Sequence, residues 1–311
     1  MKTKSIILSK LNPSFKGWVY IIVILFFIPF ICVFINYSTS LYFGDLYTFG
    51  ISERKDFFTV WIALFGAMGI AFNIYQNQKR TKNQEEQLEK QQTQIELQRK
   101  SQCDSRFSKG IELLGNENES VRTGAAYSLC FLAKDFPDEF SKPVFDILCS
   151  HIRTLTTSED YLKKHSTVSN EVQTILNLLF KGIDGNNTTS FSNYKADLRG
   201  AHLEGAHLKE AKLIYAYLQR AHLQRAFLVG ANLEAAELGE ANLVGACLAE
   251  ANLTYTNLME ANLQETNLRG TSLDTTFLMK ADLSKAYIYP SMRPFLEKQR
   301  VDLTDINWVD F

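Results

Sequence analysis

Two uncharged apolar runs lie near the start of the chain, at residues 17–37 and 57–75. Each is long enough to cross the roughly 30 Å hydrocarbon core of a bilayer as an α-helix. Residues 1–16 carry four lysines and no acid, whereas the connecting segment 38–56 carries two basic residues. Because basic flanks stay on the cytoplasmic side of a membrane, this pattern predicts a two-helix transmembrane hairpin. It has a basic cytoplasmic N-terminus, an extracytoplasmic loop at 38–56, and the rest of the chain in the cytoplasm.

The second run differs from the first because it places small residues three or four positions apart: Ala63, Gly66, Ala67 and Ala71. Small side chains at this spacing let helix backbones approach closely. We therefore expect a helix-packing face, whose partner is either the first run of the same chain or a second copy. Cleavage of the first run as a signal peptide also stays open, because Ser38 and Ser40 have the spacing of a cleavage site.

A polar segment follows at 76–105, without proline or glycine and rich in helix-forming residues. We expect it to continue the second span as a helix. Ile74, Thr81, Leu88 and Ile95 recur every seven residues, but the second seam position of each heptad is Asn or Gln. Since a stable coiled coil needs two apolar positions per heptad, a solvated stalk is favoured over a short oligomerising coil.

Residues 106–182 change to the period of amphipathic helices and predict a small all-α module. One apolar stripe follows the acidic residues Glu117 and Glu119. Ser141 with Pro143 is expected to open a second helix. Ser169 is expected to cap a third helix, which Gly182 closes.

From residue 196 to residue 290 the chain repeats every five residues, in nineteen units. The third position is Leu in eighteen units and Ile in the last, and the first position is Ala in fifteen and Thr in four. A period of five fits neither an α-helix nor a flat strand. It fits stacked coils that turn one small and one large residue inward on each short side, so that continuous leucine columns are buried.

These units resemble the pentapeptide-repeat family, whose repeat is written A(D/N)LXX. The resemblance implies a right-handed quadrilateral β-helix over 194–290, with twenty residues per coil. The sequence RFSKGIELLG…ESVRTGAAYSLCFLAKDFP is similar to the helical module of membrane-tethered bacterial members. We expect that module to close the first end of the β-helix, and residues 291–311, with Trp308 and Phe311, to close the other.

Charge is distributed unevenly along the repeat. Six acids and no base lie between residues 234 and 265, and they form a candidate acidic interaction surface: Glu234, Glu237, Glu240, Glu250, Glu260 and Glu265. The whole repeat region 194–290 nevertheless holds nine bases against eleven acids, and the chain has a net charge of −1. DNA mimicry, which some members of the family use against type II topoisomerases, requires a more acidic surface and is disfavoured. Nucleic acid is therefore an unfavoured partner.

Sequence motifs for catalysis are missing. The chain contains no GxSxG, HExxH or P-loop, and its five cysteines form no CxxC pair. His202, His207 and His222 fall near one end of the repeat, but stacking alone would produce such a column, and we expect no metal and no cofactor.

We expect a non-enzymatic scaffold that presents a rigid cytoplasmic β-helix to an unknown protein partner from the bacterial inner membrane. A self-assembling membrane effector in stress or phage defence, acting as a homo-oligomer, is the alternative. Inhibition of a nucleic-acid enzyme by DNA mimicry comes third.

Overall fold

The structure is a computed structural model. It describes residue 24 and residues 51–182, 191, 193–271, 273 and 275–309, with the backbone alone for 51–58. The predicted first span at 17–37, apart from Ile24, and the N-terminal segment 1–16 therefore lie outside the described residues, as does Phe311.

Helix α1 runs without a break over Ile51–Leu114. It includes the predicted second span and the predicted stalk, which confirms that the polar segment continues the apolar one as a helix. It also starts six residues before position 57, so the last part of the predicted loop 38–56 is helical, which corrects that boundary. The residues after Gly50 contain neither glycine nor proline until the apolar run begins, so nothing in them stops a helix. The boundary between two compact units falls inside α1, after Gln92.

Four more helices build the module: α2 (Glu119–Asp135), α3 (Pro137–Thr156), α4 (Glu159–Lys164) and α5 (Asn170–Phe180). The predicted cap is confirmed, since the Ser169 hydroxyl accepts from the Val172 N–H. Gly182, at φ 86°, donates its N–H to the Asn177 carbonyl 3.0 Å away and ends the helix as expected.

The predicted start of α3 is wrong. Ser141 and Pro143 lie inside that helix, which begins at Pro137. Pro143 and Glu139, whose carbonyl would accept its missing N–H, are both exposed. An exposed carbonyl is accessible to water in place of the missing N–H, so proline is tolerated here. Phe145, Leu148 and Ile152 of α3 are fully buried and form the centre of the module core.

The repeat pairs each unit with the unit twenty residues later through isolated parallel bridges, for example Asn242↔Asn262. One coil therefore takes up four pentapeptide units. The third-position leucines are buried throughout, and the first-position alanines and threonines beside them are buried as well. Thr256 and Thr266 satisfy their buried hydroxyls by donating to the carbonyls of Leu233 and Leu243, at 2.8 and 3.0 Å. Threonine therefore replaces alanine without an unpaired polar atom.

The end of the chain keeps the twenty-residue period but changes its local structure. Strand β1 (Tyr287–Ile288) pairs in parallel with strand β2 (Asn307–Trp308), so that Tyr287 lies opposite Asn307. Between them a 3-10 helix (Pro290–Met292) and helix α6 (Arg293–Lys298) replace part of the coil. Leu296 of α6 is fully buried and belongs to the same hydrophobic core as the leucines of the repeats. The tail therefore adds part of a further coil to the repeats.

Candidate interaction surfaces

The second position of each unit explains the A(D/N)LXX pattern. Its Asn or Asp side chain accepts a hydrogen bond from the N–H two residues later, as in Asn242 to Val244 at 3.2 Å and Asn262 to Gln264 at 3.1 Å. This is an Asx turn, which fixes the corner between consecutive sides. The outward side chain is therefore part of the fold wherever it is Asn or Asp.

The fifth position of the repeat lies in the left-handed region of φ. Among the described residues, thirteen other than glycine have a positive φ, and all of them stand at this position or in phase with it, from Glu210 to Arg300. Each such residue costs about 1–2 kcal/mol relative to an ordinary conformation. Sequence reasoning missed this requirement. The available signal was the set of glycines at the same position: Gly200, Gly205, Gly230, Gly245 and Gly270.

Stacking at twenty-residue intervals creates four columns of units. Column 1 holds the units that begin at 196, 216, 236, 256 and 276. Columns 2, 3 and 4 begin five, ten and fifteen residues later. The second-position residues stack in columns, since His202, His222, Asn242, Asn262 and Asp282 pair in succession, as do His207, Phe227, Cys247, Asn267 and Tyr287.

The six acids of the candidate acidic surface follow one another in the sequence with no base between them, but they are spread over all four columns. Glu237, Glu240 and Glu260 lie in column 1, and Glu265, Glu250 and Glu234 lie in columns 2, 3 and 4 respectively. Several are also engaged. Glu240 accepts from Arg220 at 2.9 Å and Glu260 accepts from Lys280 at 2.9 Å. Glu237 accepts from Asn257 at 2.8 Å. The arrangement does not bring the six carboxylates together on one surface.

Two of the three histidines stack on each other. The rings of His202 and His222 lie parallel with centroids 3.9 Å apart, while His207 stacks on Phe227 in another column. Burial, together with the charge of His222, lowers the pKa of His202. Among the described residues no group of three or more His, Cys, Asp or Glu side chains is placed to hold a metal ion.

The helical module covers the first coil of the repeat. Second-position N–H groups in later coils donate to the preceding coil, and those of the first coil have module partners instead. His202 donates to Thr156 Oγ1 at 3.2 Å, and His207 donates to Gln173 Oε1 at 2.8 Å. The backbone N–H of Lys212 donates to the Phe180 carbonyl at 3.4 Å, and the backbone N–H of Asp197 is hydrogen-bonded to the Cys149 sulfur. The module therefore closes this edge against further strand pairing, as the sequence predicts.

A buried ionic network holds the module together. Glu171 of α5 is 1% exposed, and its two carboxylate oxygens accept from Arg122 of α2 at 2.8 and 2.5 Å. The Nε2 atom of His151 in α3 lies 2.9 Å from the same carboxylate. Burial alone would raise the pKa of Glu171, but the hydrogen bonds from His151 and Arg122 outweigh it and lower that pKa. No spacing in the sequence indicates this contact between residues 49 positions apart.

The remaining candidate residues lie at the two extremes of the described chain. Ala63, Gly66, Ala67 and Ala71 are exposed on α1, and a Cβ added at Gly66 would meet no described heavy atom within 4 Å. Trp308 is partly buried in β2, and the guanidinium carbon of Arg293 lies 4.6 Å from its ring centroid. Within the part of the chain that the structure describes, α1 alone is long and apolar enough to cross a membrane.

Residues 194–228, 216–254 and 256–288 match the family model described as pentapeptide repeats, in eight copies. The repeat is a pentapeptide-repeat segment. The matches cover this segment and leave α1 and the helical module outside it.

Several solved structures are similar to the pentapeptide repeats. A pentapeptide repeat protein from the cyanobacterium Cyanothece 51142 is 38% identical over 29% of this chain and 54% of that chain, with a TM-score of 0.20. A pentapeptide repeat protein from the Arabidopsis thaliana thylakoid lumen is 28% identical over 33% of this chain and 74% of that chain, with a TM-score of 0.15. HetL from Nostoc sp. strain PCC 7120, involved in heterocyst differentiation regulation, is 28% identical over 36% and 60%, with a TM-score of 0.17.

The chain thus spans about half the length of the first of these proteins. A search of curated proteins gave no match.

Proposed function

We propose that the protein is a non-enzymatic scaffold, anchored in the bacterial inner membrane, that presents its pentapeptide repeats to a partner protein in the cytoplasm. The anchor is the two-helix hairpin of residues 17–37 and 57–75, with both ends of the chain inside. The repeats would form the right-handed, four-sided β-helix of the family.

The observation that carries this proposal is the separation between core and surface in the repeats. The first and third positions of each unit are buried, and their hydrogen bonds hold the coils together. The fourth and fifth side chains point outward from this core, although the fifth position is constrained by its left-handed backbone. A framework of this kind keeps exposed side chains at fixed spacings, and binding to a preorganised surface avoids the entropic cost of ordering it.

The anchor is supported by the side chains of α1. Val60, Ile62, Leu64 and Ile70 are each at least half exposed on this helix. Apolar side chains in such a continuous exposed stretch are stabilised by lipid or by another helix rather than by water. The positive-inside pattern of the flanking residues supports the cytoplasmic orientation.

A self-assembling membrane effector is the second candidate. It is favoured by the exposed small-residue face at Ala63, Gly66, Ala67 and Ala71 and by the exposed Leu88 and Ile95 further along α1. DNA mimicry is the third and is disfavoured, because the acids of the repeat are spread over four columns and partly neutralised by Arg220 and Lys280.

In-cell crosslinking of the full-length protein, followed by solubilisation and mass spectrometry, separates these functions. The scaffold function predicts one dominant foreign protein linked through residues 106–311. Links confined to other copies of the same chain and concentrated in 57–105 would overturn it in favour of the effector. Turnover of a nucleotide or lipid by the purified protein, abolished by a point substitution, would overturn the non-enzymatic assignment.

A further inference from the structure

A groove of about 370 Å³ lies at the end of column 1, between the last full unit of that column and the tail. Its floor is apolar and consists of Met259, Phe277 and Met279. Phe277 and Met279 are 53% and 52% exposed, so these large apolar side chains stand open beside one another. Its rim is formed by Lys280, Lys298, Gln299 and Arg300.

The groove exists because the hydrogen-bond ladder of column 1 stops there. In that column the fifth-position N–H donates to the carbonyl nineteen residues later, as in Arg220 to Gly239 and Glu260 to Met279, both at 3.0 Å. The next bond would join Lys280 to Gln299, and among the described residues the Lys280 N–H has no such partner. Helix α6 occupies the place of the next strand, so the two segments stand apart and leave a slot.

Among the described residues, every charged side chain that lines this slot is basic. Lys280 is paired with Glu260 at 2.9 Å. Lys298 and Arg300, by contrast, have no ion pair among the described residues, and both side chains are exposed. Within the described chain, two bases without an ion pair and an N–H without an acceptor therefore surround an apolar floor that includes two methionines. Methionine side chains adapt to varied apolar shapes, which makes them frequent on binding surfaces.

We propose that this groove binds an acidic segment of a partner protein that also carries a bulky apolar side chain. This inference rests on the scaffold function proposed above and names the chemistry of its partner. The partner's carboxylates lie between Lys298 and Arg300, and its apolar side chain covers Phe277 and Met279. The Lys280 N–H is available to a carbonyl or carboxylate of the same segment.

A peptide segment fits this groove better than a membrane surface does. Electrostatic binding to anionic lipid relies on about four to eight exposed bases in one patch, and the groove has three, one of which is already paired. The slot is concave, and its volume of about 370 Å³ admits the side chains of a peptide segment. A bilayer surface would leave its floor uncovered.

The test uses the full-length protein in detergent micelles and fluorescein-labelled decapeptides, with binding measured by fluorescence anisotropy. A peptide of alternating Glu and Leu is the probe, and peptides of alternating Glu and Ser or Lys and Leu are the controls. We expect the Glu–Leu peptide to bind more tightly than either control, with an affinity that falls as salt is added.

The double substitution Lys298→Glu with Arg300→Glu is expected to weaken that binding about tenfold or more, since two attractive charge pairs become repulsive. The matched control is Lys163→Glu with Lys164→Glu on α4, which changes the net charge equally away from the groove. Met279→Ser tests the apolar floor of the groove. It should weaken binding of the Glu–Leu peptide and leave the weaker binding of the Glu–Ser peptide unchanged.

Equal binding of the Glu–Leu peptide by the Lys298/Arg300 variant and by wild type would overturn the proposal. So would binding of monomeric short-chain phosphatidylglycerol in place of the peptide, which would make the groove a lipid site. In-cell crosslinking of the same variant distinguishes a failure of this groove proposal from a failure of the scaffold function. A foreign partner that stays linked to the variant leaves the scaffold function standing and removes this groove from it, whereas no foreign partner for wild type removes the scaffold function itself.

Discussion

The helical module and the pentapeptide repeats are stabilised in opposite ways. The module depends on contacts that occur once, above all the ion pair between Arg122 of α2 and Glu171 of α5 with His151 beside it. The repeats use one contact many times, since a buried leucine, a small neighbour and a ladder hydrogen bond recur in every coil. We therefore expect a single substitution to disrupt the module as a whole but to damage the repeats only locally.

The largest effect is expected from Glu171→Gln in the module. The variant removes the carboxylate that is hydrogen-bonded to Arg122, whose side chain is 16% exposed, and leaves Glu119 as the acid beside it. Removing one partner of a buried ion pair costs about 3–5 kcal/mol. Burial raises the pKa of Cys130 and of Cys149 to about 12, so both thiols react with maleimide only after the module opens. Labelling of the two thiols, measured by mass spectrometry on the full-length protein, should begin at a much lower urea concentration in the variant than in wild type.

Two internal references make this measurement specific. Cys247, in column 3 of the repeats, should keep its wild-type labelling profile. Glu159→Gln, which removes an exposed i,i+4 pair with Lys163, should cost less than about 1 kcal/mol. If Glu171→Gln and Glu159→Gln open the module at the same urea concentration, the buried network does not hold it together.

The next effect is expected from Leu243→Ala in the middle of the repeats. Leu243 is fully buried, and shortening a buried leucine to alanine costs about 2–5 kcal/mol, depending on how far the site collapses. Hydrogen exchange should accelerate in the coils on either side of residue 243, while labelling of Cys130 stays unchanged. Val244→Ala, at the adjacent outward position, is the matched control. Opening of the module in Leu243→Ala would show that the two regions unfold together and would remove the contrast between them.

A smaller effect is expected from Gly245→Val, because it strains the backbone without emptying the core. Gly245 has φ 66°, and a Cβ there would meet its nearest neighbour, the Arg225 Cγ, at 3.7 Å, so space is available. The left-handed conformation itself costs about 1–2 kcal/mol, and a β-branched side chain adds to that. The reverse change, Ala235→Gly, should be neutral to within about 1 kcal/mol. A stability for Gly245→Val equal to that of wild type, by hydrogen exchange, would contradict this account.

The smallest effect concerns pH. Since the folded protein holds the pKa of Glu171 below its unfolded value of about 4.3, this carboxylate stabilises the module above that pH. The contribution is lost as the pH falls through the lower, folded pKa. Asp197 and Asp282 also have lowered pKa values, so the repeats lose stability in acid as well. The quantity to measure is the difference in the free energy of unfolding of the module between wild type and Glu171→Gln. This difference should shrink as the pH falls from 6 to 3. A constant difference would place the ionisation of Glu171 outside the network.

The repeat was predictable from sequence because its core is periodic. Leu198 to Leu283 and the Ala or Thr beside each of them determine which side chains are buried, and a five-residue period reveals both. The requirement at the fifth position was less visible, because Glu, Arg, Lys and Tyr occupy left-handed positions there and hide the pattern that Gly245 and its equivalents display. The acidic surface at Glu234–Glu265 failed to appear because proximity along the chain is not proximity around a twenty-residue coil.

The module was predictable only in outline. Capping by Ser169 and termination at Gly182 depend on local chemistry, which a short segment contains in full. Pro143 suggested a helix start six residues too late, because the exposed carbonyl that tolerates proline inside α3 is a property of the folded surface. The Glu171 network and the groove at Lys280 both join segments that are distant in sequence, and no local pattern encodes them.

The twenty-residue coil gives the protein a simple route to a new surface. Removing or adding one pentapeptide leaves every leucine and every alanine in phase, so the core is unchanged. Every residue that follows, however, moves by one column, and the groove near Lys298 turns with it to a different side of the coil. Insertions and deletions usually destroy a domain. Here the insertion or deletion of a whole unit would leave the groove intact and change the side of the coil on which it lies.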